Sequence, residues 1–161
     1  MRYIVFVRHG ERSRVGADDP LTERGIAMAH ETGRWLRERG IAPAVIVPTR
    51  SLRARQTAEA LRGALGGVAP LEPERSLPES PATWEALATR LETRCLGPTD
   101  AIVVGHHPTQ VLIERTFGGR TFNVPRENRA AAFVLERDAG GGWRCVEVWE
   151  GGRPGTPPPT E

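Results

Sequence analysis

Three short apolar runs, each followed by a stretch of helical periodicity, constrain this chain more than any other feature. They are Tyr3-Ile4-Val5-Phe6-Val7, Ala44-Val45-Ile46-Val47 and Ala101-Ile102-Val103-Val104. None contains a charged residue, and β-branched side chains dominate. Such runs suit strands buried on both faces, as in a parallel sheet covered by helices. Between them, Ile26, Ala29, Gly33 and Leu36 recur at helical spacing, from a cap at Thr22 to a stop at Gly40. Ala54, Ala58, Leu61 and Leu65 make a second stripe. Trp84, Leu87, Leu91 and Cys95 make a third, opened by Ser80-Pro81 in the cap-then-proline form. A fourth helix follows Pro108 and runs to about Phe117. This alternation predicts an α/β fold: a three-layer α/β/α sandwich with a mostly parallel central sheet and right-handed crossovers. The last third differs. Residues 131–137 and 143–149 flank Asp138-Ala139-Gly140-Gly141-Gly142, which reads as a hairpin at the sheet edge.

The chain has 161 residues and a mass of 17.6 kDa, enough for one hydrophobic core and too little for two. A single domain over residues 1–150 is expected. Gly151–Glu161, with four prolines and three glycines, is expected to be a disordered tail. The N-terminal apolar run is shorter than the core of a signal peptide and far shorter than a membrane span of about 20 residues. The expectation is a soluble cytoplasmic protein without a membrane partner. Cys95 and Cys145 offer neither a zinc knuckle nor a disulfide framework. One bridge between them is conceivable, but two buried free thiols are expected.

All 22 basic residues are arginine, and 20 acidic residues leave a net charge of +2. The absence of lysine excludes a lysine nucleophile, a Schiff base and a Walker-type phosphate loop. Near-balance of charge, without a basic tract, argues against a nucleic-acid partner.

Ligands of open parallel sheets bind beyond the carboxyl ends of the strands. After the first run stands Arg8-His9-Gly10-Glu11. Arg53 lies in the first helical turn after the second run, and His106 and His107 follow the third. Three of the four histidines and two arginines are thereby brought to one edge. The fourth, His30, falls mid-helix and reads as a surface or half-buried residue. Gathering cationic and imidazole groups costs free energy unless an anion binds between them. The anion that suits a planar, permanently charged donor fork is phosphoryl. A metal is not expected, because adjacent His106-His107 lack the i, i+4 spacing of paired ligands and the arginines would repel a dication.

These residues match a known pattern. Arg8-His9-Gly10-Glu11 resembles the Arg-His-Gly motif of the histidine phosphatase superfamily, whose members look like phosphoglycerate mutase. Asp19-Pro20-Leu21-Thr22-Glu23-Arg24-Gly25 is similar to its Leu-Thr-x-x-Gly helix start. Thr49-Arg50-Ser51-Leu52-Arg53-Ala54-Arg55-Gln56-Thr57-Ala58 looks like its Ser-x-x-x-Arg-Ala-x-Gln-Thr-Ala element, with Arg53 in register, and Val104-Gly105-His106-His107-Pro108 resembles the second-histidine motif. The resemblance implies a phosphatase without cofactor, in which His9 attacks phosphorus while Arg8, Arg53 and His106 hold the phosphoryl oxygens. Gly10 and His107 would add contacts to the substrate, although His107 serves equally well as a helix-start residue. Glu79, in Leu77-Pro78-Glu79, is the candidate general acid and Glu11 the second candidate; Glu79 also suits a solvated position before a helix. Short connections place the chain nearest the compact branch that includes phosphohistidine phosphatases. Its substrate would be a phosphorylated small molecule or a phosphohistidine protein. The alternatives are a catalytically silent phospho-ligand-binding domain and, with less support, a mutase-type phosphotransferase, which needs closure against water.

Overall fold

The structure, a computed structural model, describes residues 1–118 and 124–152. Its elements are β1 (Ile4–Arg8), α1 (Glu23–Glu38), β2 (Pro43–Pro48), α2 (Leu52–Ala64), α3 (Pro81–Arg94), β3 (Asp100–Gly105), α4 (His107–Thr116), β4 (Ala132–Arg137) and β5 (Trp143–Trp149). The five strands form one sheet in the order β2-β3-β1-β4-β5. β1 and β2 run parallel to β3, β4 is antiparallel to β1, and β5 is antiparallel to β4. The parallel centre and the hairpin edge are those expected from the sequence.

Every residue of β1 and β3 is buried, because helices cover both faces of the sheet. Alternate side chains therefore enter two different cores. Ile4 and Phe6 pack with Val45, Val103, Trp84, Leu87, Leu91, Leu112 and Ile113 on the face covered by α3 and α4. Val5 and Val7 pack with Ile46, Ile102, Trp35, Leu36, Ala58 and Leu61 on the face covered by α1 and α2. Truncating a fully buried leucine such as Leu61 to alanine should cost about 2–5 kcal/mol.

The starts of α1 and α3 follow the sequence signals, and that of α2 adds a cap the sequence reading did not name. Thr22 Oγ1 accepts the Gly25 N–H at 2.9 Å. Ser51 Oγ accepts from Ala54, and Ser80 with Thr83 forms a reciprocal capping box ahead of Pro81. Helix α1 stops where Gly40 takes a φ of 75°, a backbone state that costs glycine little.

Two features lay outside the sequence reading. The segment after α2 runs beside β2, with Glu72 N–H donating to Ile46 O and Glu74 N–H to Pro48 O, and so covers an otherwise bare strand edge. At the opposite end of the sheet, the fully buried Asp100 accepts from Tyr3 N, Ala42 N and Arg2, tying three segments together. Cys95 is buried and Cys145 half-buried, and both are free thiols. Gly152 pairs with Arg129 in an isolated antiparallel bridge, whereas the rest of the expected tail, 153–161, lies outside the described residues. No helix among the described residues is long and apolar enough to cross a membrane.

Candidate active site

The carboxyl ends of β1 and β3 are adjacent and in register, Arg8 opposite Gly105, so His9 and His106 leave the sheet side by side. Their ring centroids lie 5.4 Å apart. His9 is buried, and its Nδ1 stands 2.7 Å from Gly10 O. A carbonyl can only accept, so Nδ1 carries the proton and Nε2 keeps its lone pair. Burial, above all, lowers the His9 pKa to about 3; the Gly10 carbonyl opposes this, and His106, Arg53 and Arg8 add to it. The ring is accordingly neutral at physiological pH.

The backbone that carries His9 is fixed from three sides. His9 N–H donates to Gly105 O, Ala130 N–H donates to His9 O, and Gly10 N–H donates to Thr57 Oγ1 at 3.0 Å. Thr57 in turn donates to Arg53 O, so one hydroxyl joins the histidine loop to the first turns of α2. Gly10 has a packing reason to be glycine, since a Cβ there would lie 2.5 Å from Gly25 O.

Arg53 presents a mostly buried guanidinium whose Nη1 lies 3.6 Å from Asp19 Oδ1. Its Nε is buried with no hydrogen-bond partner among the described residues. Asp19 is itself buried, accepts Arg14 N–H at 2.7 Å, and stands 3.9 Å from Arg12 Nε. The preceding Asp18 accepts Leu52 N–H at the start of α2. The loop between β1 and α1 thus grips the helix that delivers Arg53.

Arg8 is buried and donates through Nη1 to the carbonyls of Arg126 and Asn128, and its Nε again has no partner among the described residues. Burial lowers its pKa to about 10, assisted by Arg129 and Arg126. His106 bonds through Nε2 to Thr49 Oγ1 at 3.1 Å, while its Nδ1 is buried without a partner among the described residues. Burial and then Arg53, Arg8 and Arg12 push its pKa down. His106 is also the N-cap of α4, with no side-chain capping bond, so the helix presents free N–H groups there. His107 opens α4, and burial followed by Arg8, Arg126 and Arg129 lowers its pKa too.

His9, Arg8, Arg53, His106 and His107 therefore come together. Unpartnered donors in that cluster, with arginine charges depressing each imidazole, make a site that favours an anion. Glu79 and Glu11 stand differently. Glu79 is exposed, lines a groove of about 530 Å³ with Glu74, Leu77, Thr83 and Arg90, and makes no hydrogen bond or ion pair with the cluster. Its loop nonetheless reaches the site edge, since Leu77 packs on Gly105. Glu11 Oε1 accepts from Thr22 Oγ1 at 3.1 Å and lies 3.8 Å from Arg24. His30 is exposed. Among the described residues no three His, Cys, Asp or Glu side chains assemble as a metal site.

Sequence reasoning gave no role to Thr49, Thr57, Asp19, Arg126, Asn128 or Arg129. Thr57 and Asp19 sit inside the recognised motifs and could have been singled out as polar residues at predicted buried positions. The turn at 125–129 carries no such signal.

The match of a family model to residues 4–122 covers most of the chain, under the description histidine phosphatase superfamily, branch 1. A mitochondrial serine/threonine-protein phosphatase, Pgam5 of Drosophila virilis, is 41% identical over 61 residues, which is 36% of this chain and 21% of that protein. The chain thus spans only about a fifth of the curated relatives it matches. Among solved structures, the protein histidine phosphatase SixA complexed with tungstate superposes with a TM-score of 0.73 at 19% identity, over 91% of this chain and 95% of that one. A SixA protein described as a phosphohistidine phosphatase, from Agrobacterium tumefaciens, gives 0.71 at 19% identity, over 92% and 96%. These structures share the fold, and the family match settles the assignment: the chain belongs to the histidine phosphatase superfamily, branch 1.

Proposed function

We propose that the chain is a metal-independent phosphatase that cleaves a phosphoester or a phosphohistidine through a covalent intermediate on His9. The observation that carries the reading is the bond from His9 Nδ1 to Gly10 O, which leaves Nε2 as a neutral nucleophile beside two guanidinium groups. In the first step the Nε2 lone pair forms a bond to phosphorus, and the bond from phosphorus to the leaving oxygen or nitrogen breaks. The leaving atom takes a proton, for which Glu79 is the proposed donor to an alkoxide. In the second step water attacks phosphorus, the bond to Nε2 breaks, and phosphate departs. Arg8, Arg53 and His106 hold the three peripheral oxygens through both steps, with Gly10 and His107 at the margin. Such transfer asks for positioning and charge stabilisation above all.

Glu79 stands exposed on the loop that reaches the site edge, a position that suits a large substrate as well as a small one. A phosphohistidine leaving group needs little proton donation, which fits a carboxylate that stands off the cluster. The reading places the enzyme in the cytoplasm, where its two free thiols stay reduced. The test is hydrolysis of an aryl phosphate in the presence of chelator. Release of phosphate by the wild type and none by His9→Ala is expected. Equal rates for the two, or binding of phosphate without turnover by the wild type, would overturn the reading.

A further inference from the structure

Beyond the phosphoryl pocket, arginines crowd the rim on two exposed loops. Arg12 and Arg14 belong to the loop between β1 and α1, folded back on itself by the Arg12–Leu21 bridge and the bond from Ser13 N–H to Pro20 O. Arg126 and Arg129 belong to the turn before β4. That turn is held over the site by Ala130 N–H on His9 O, by Arg8 on two of its carbonyls, and by Asn128 Nδ2 on Glu150 O. Ala130 adopts a φ of 58° there, a strained state for a residue with a Cβ, so the turn is fixed in place by its contacts.

The rim arginines differ from many arginines elsewhere in the molecule. Arg2, Arg39, Arg90, Arg94, Arg137 and Arg144 each pair with a carboxylate. Arg129 instead spends its guanidinium on the carbonyls of Arg126, Glu127 and Asn128. Arg14 and Arg126 are exposed, and their guanidinium groups have no ion pair among the described residues. Among the described residues Arg12 has one ion pair, with Asp19, a carboxylate it shares with Arg53. The two loops also feel each other: burial first, then Arg14 and Arg12, lower the Arg129 pKa, while Glu11 and Glu127 oppose this. Asp19 faces Arg12, and Glu11 and Glu127 act on Arg129, but a single bound phosphoryl group between Arg8, Arg53 and His106 leaves Arg14 and Arg126 without an ion pair among the described residues.

We propose that this rim docks an acidic stretch of polypeptide flanking the phosphorylated residue, so that the preferred substrate is a phosphoprotein segment rich in Asp and Glu. The proposal rests on the phosphatase reading for the position of the phosphate, but its charge complementarity can be tested without turnover. Exposed charge pairs are individually weak and screened by salt, so the rim acts through several of them at once.

The experiment compares two fluorescent phosphoserine peptides of equal length, one with acidic and one with neutral flanks, binding to the His9→Ala protein at low and high salt. The wild-type rim should favour the acidic peptide by about tenfold at low salt, and the preference should shrink at high salt. The double variant Arg14→Asn/Arg126→Ala should bring the preference close to unity. Asparagine tolerates the φ of 62° at position 14, and the Arg126 carbonyl that meets Arg8 remains. With His9 restored, Arg14→Asn alone should keep its rate on an aryl phosphate. Equal binding of the two peptides, or a preference that survives the double variant, would overturn the proposal. A charge preference in a protein that turns over no aryl phosphate would uphold the rim and sink the catalytic reading instead.

Discussion

Gly10 and Gly25 touch backbone to backbone: a Cβ on Gly10 would stand 2.5 Å from Gly25 O, and a Cβ on Gly25 would stand 2.2 Å from Glu11 O. The histidine loop and the first turn of α1 can approach this closely only because both positions lack a side chain. Gly25→Ala therefore sets two effects against each other. Alanine gains about 1 kcal/mol of helix propensity, while the clash with fixed backbone costs about 1–3 kcal/mol or more. Sterics should win. Urea unfolding should show Gly25→Ala less stable than the wild type, with a lower kcat because the His9 backbone shifts. A more stable, fully active variant would show that the contact is looser than described.

Acid should destabilise the fold through its histidines. The folded His9 resists protonation until about pH 3, whereas the unfolded ring takes a proton near 6.5. Between those values the unfolded state binds more protons, so stability falls as pH drops from about 6.5 toward 3 and is fully present above 6.5. His106 and His107 act in the same direction. Urea midpoints measured across this window should fall less steeply for His9→Asn than for the wild type. Equal slopes would contradict the neutral, buried ring.

Loss of either oxygen-holding group should slow chemistry without unfolding the protein. Arg53→Ala and His106→Ala are each expected to lose about 10²–10³ in kcat on an aryl phosphate. Asp19→Asn acts one step back, by freeing the guanidinium that it faces at 3.6 Å. It should weaken binding of tungstate or vanadate, and leave the circular dichroism spectrum unchanged.

Glu79 is tested by the leaving group. Glu79→Gln should slow cleavage of an alkyl phosphate by about 10²-fold, and change p-nitrophenyl phosphate by no more than about threefold, because a nitrophenolate departs without a proton. An equal loss on both substrates would give Glu79 a structural role, consistent with its place on an exposed loop.

The sequence made the sheet and the helix starts readable because they rest on local signals. Apolar runs with no polar face, Thr22 and Ser80 as caps, and glycine at 40 each act within a few residues of where they stand. The cluster of His9, Arg53 and His106 was readable for a topological reason: parallel strands deliver whatever follows them to one edge. What escaped notice depends on distant contacts. No local pattern announces that Thr57 will catch Gly10 N–H, that Asp19 will face Arg53, or that the turn before β4 will return to cover Arg8. The segment 71–74 likewise reads as a connection, because its pairing with β2 uses backbone groups that any residue supplies.

The central claim is that His9 Nε2 carries the phosphoryl group between the two steps. The direct measurement is rapid quenching of the enzyme with a labelled aryl phosphate, followed by peptide mapping of the trapped label. The account predicts an acid-labile, alkali-stable phosphoryl group on His9 that is absent from His9→Ala. Label on another residue, or full turnover by His9→Ala with no trapped intermediate, would contradict it.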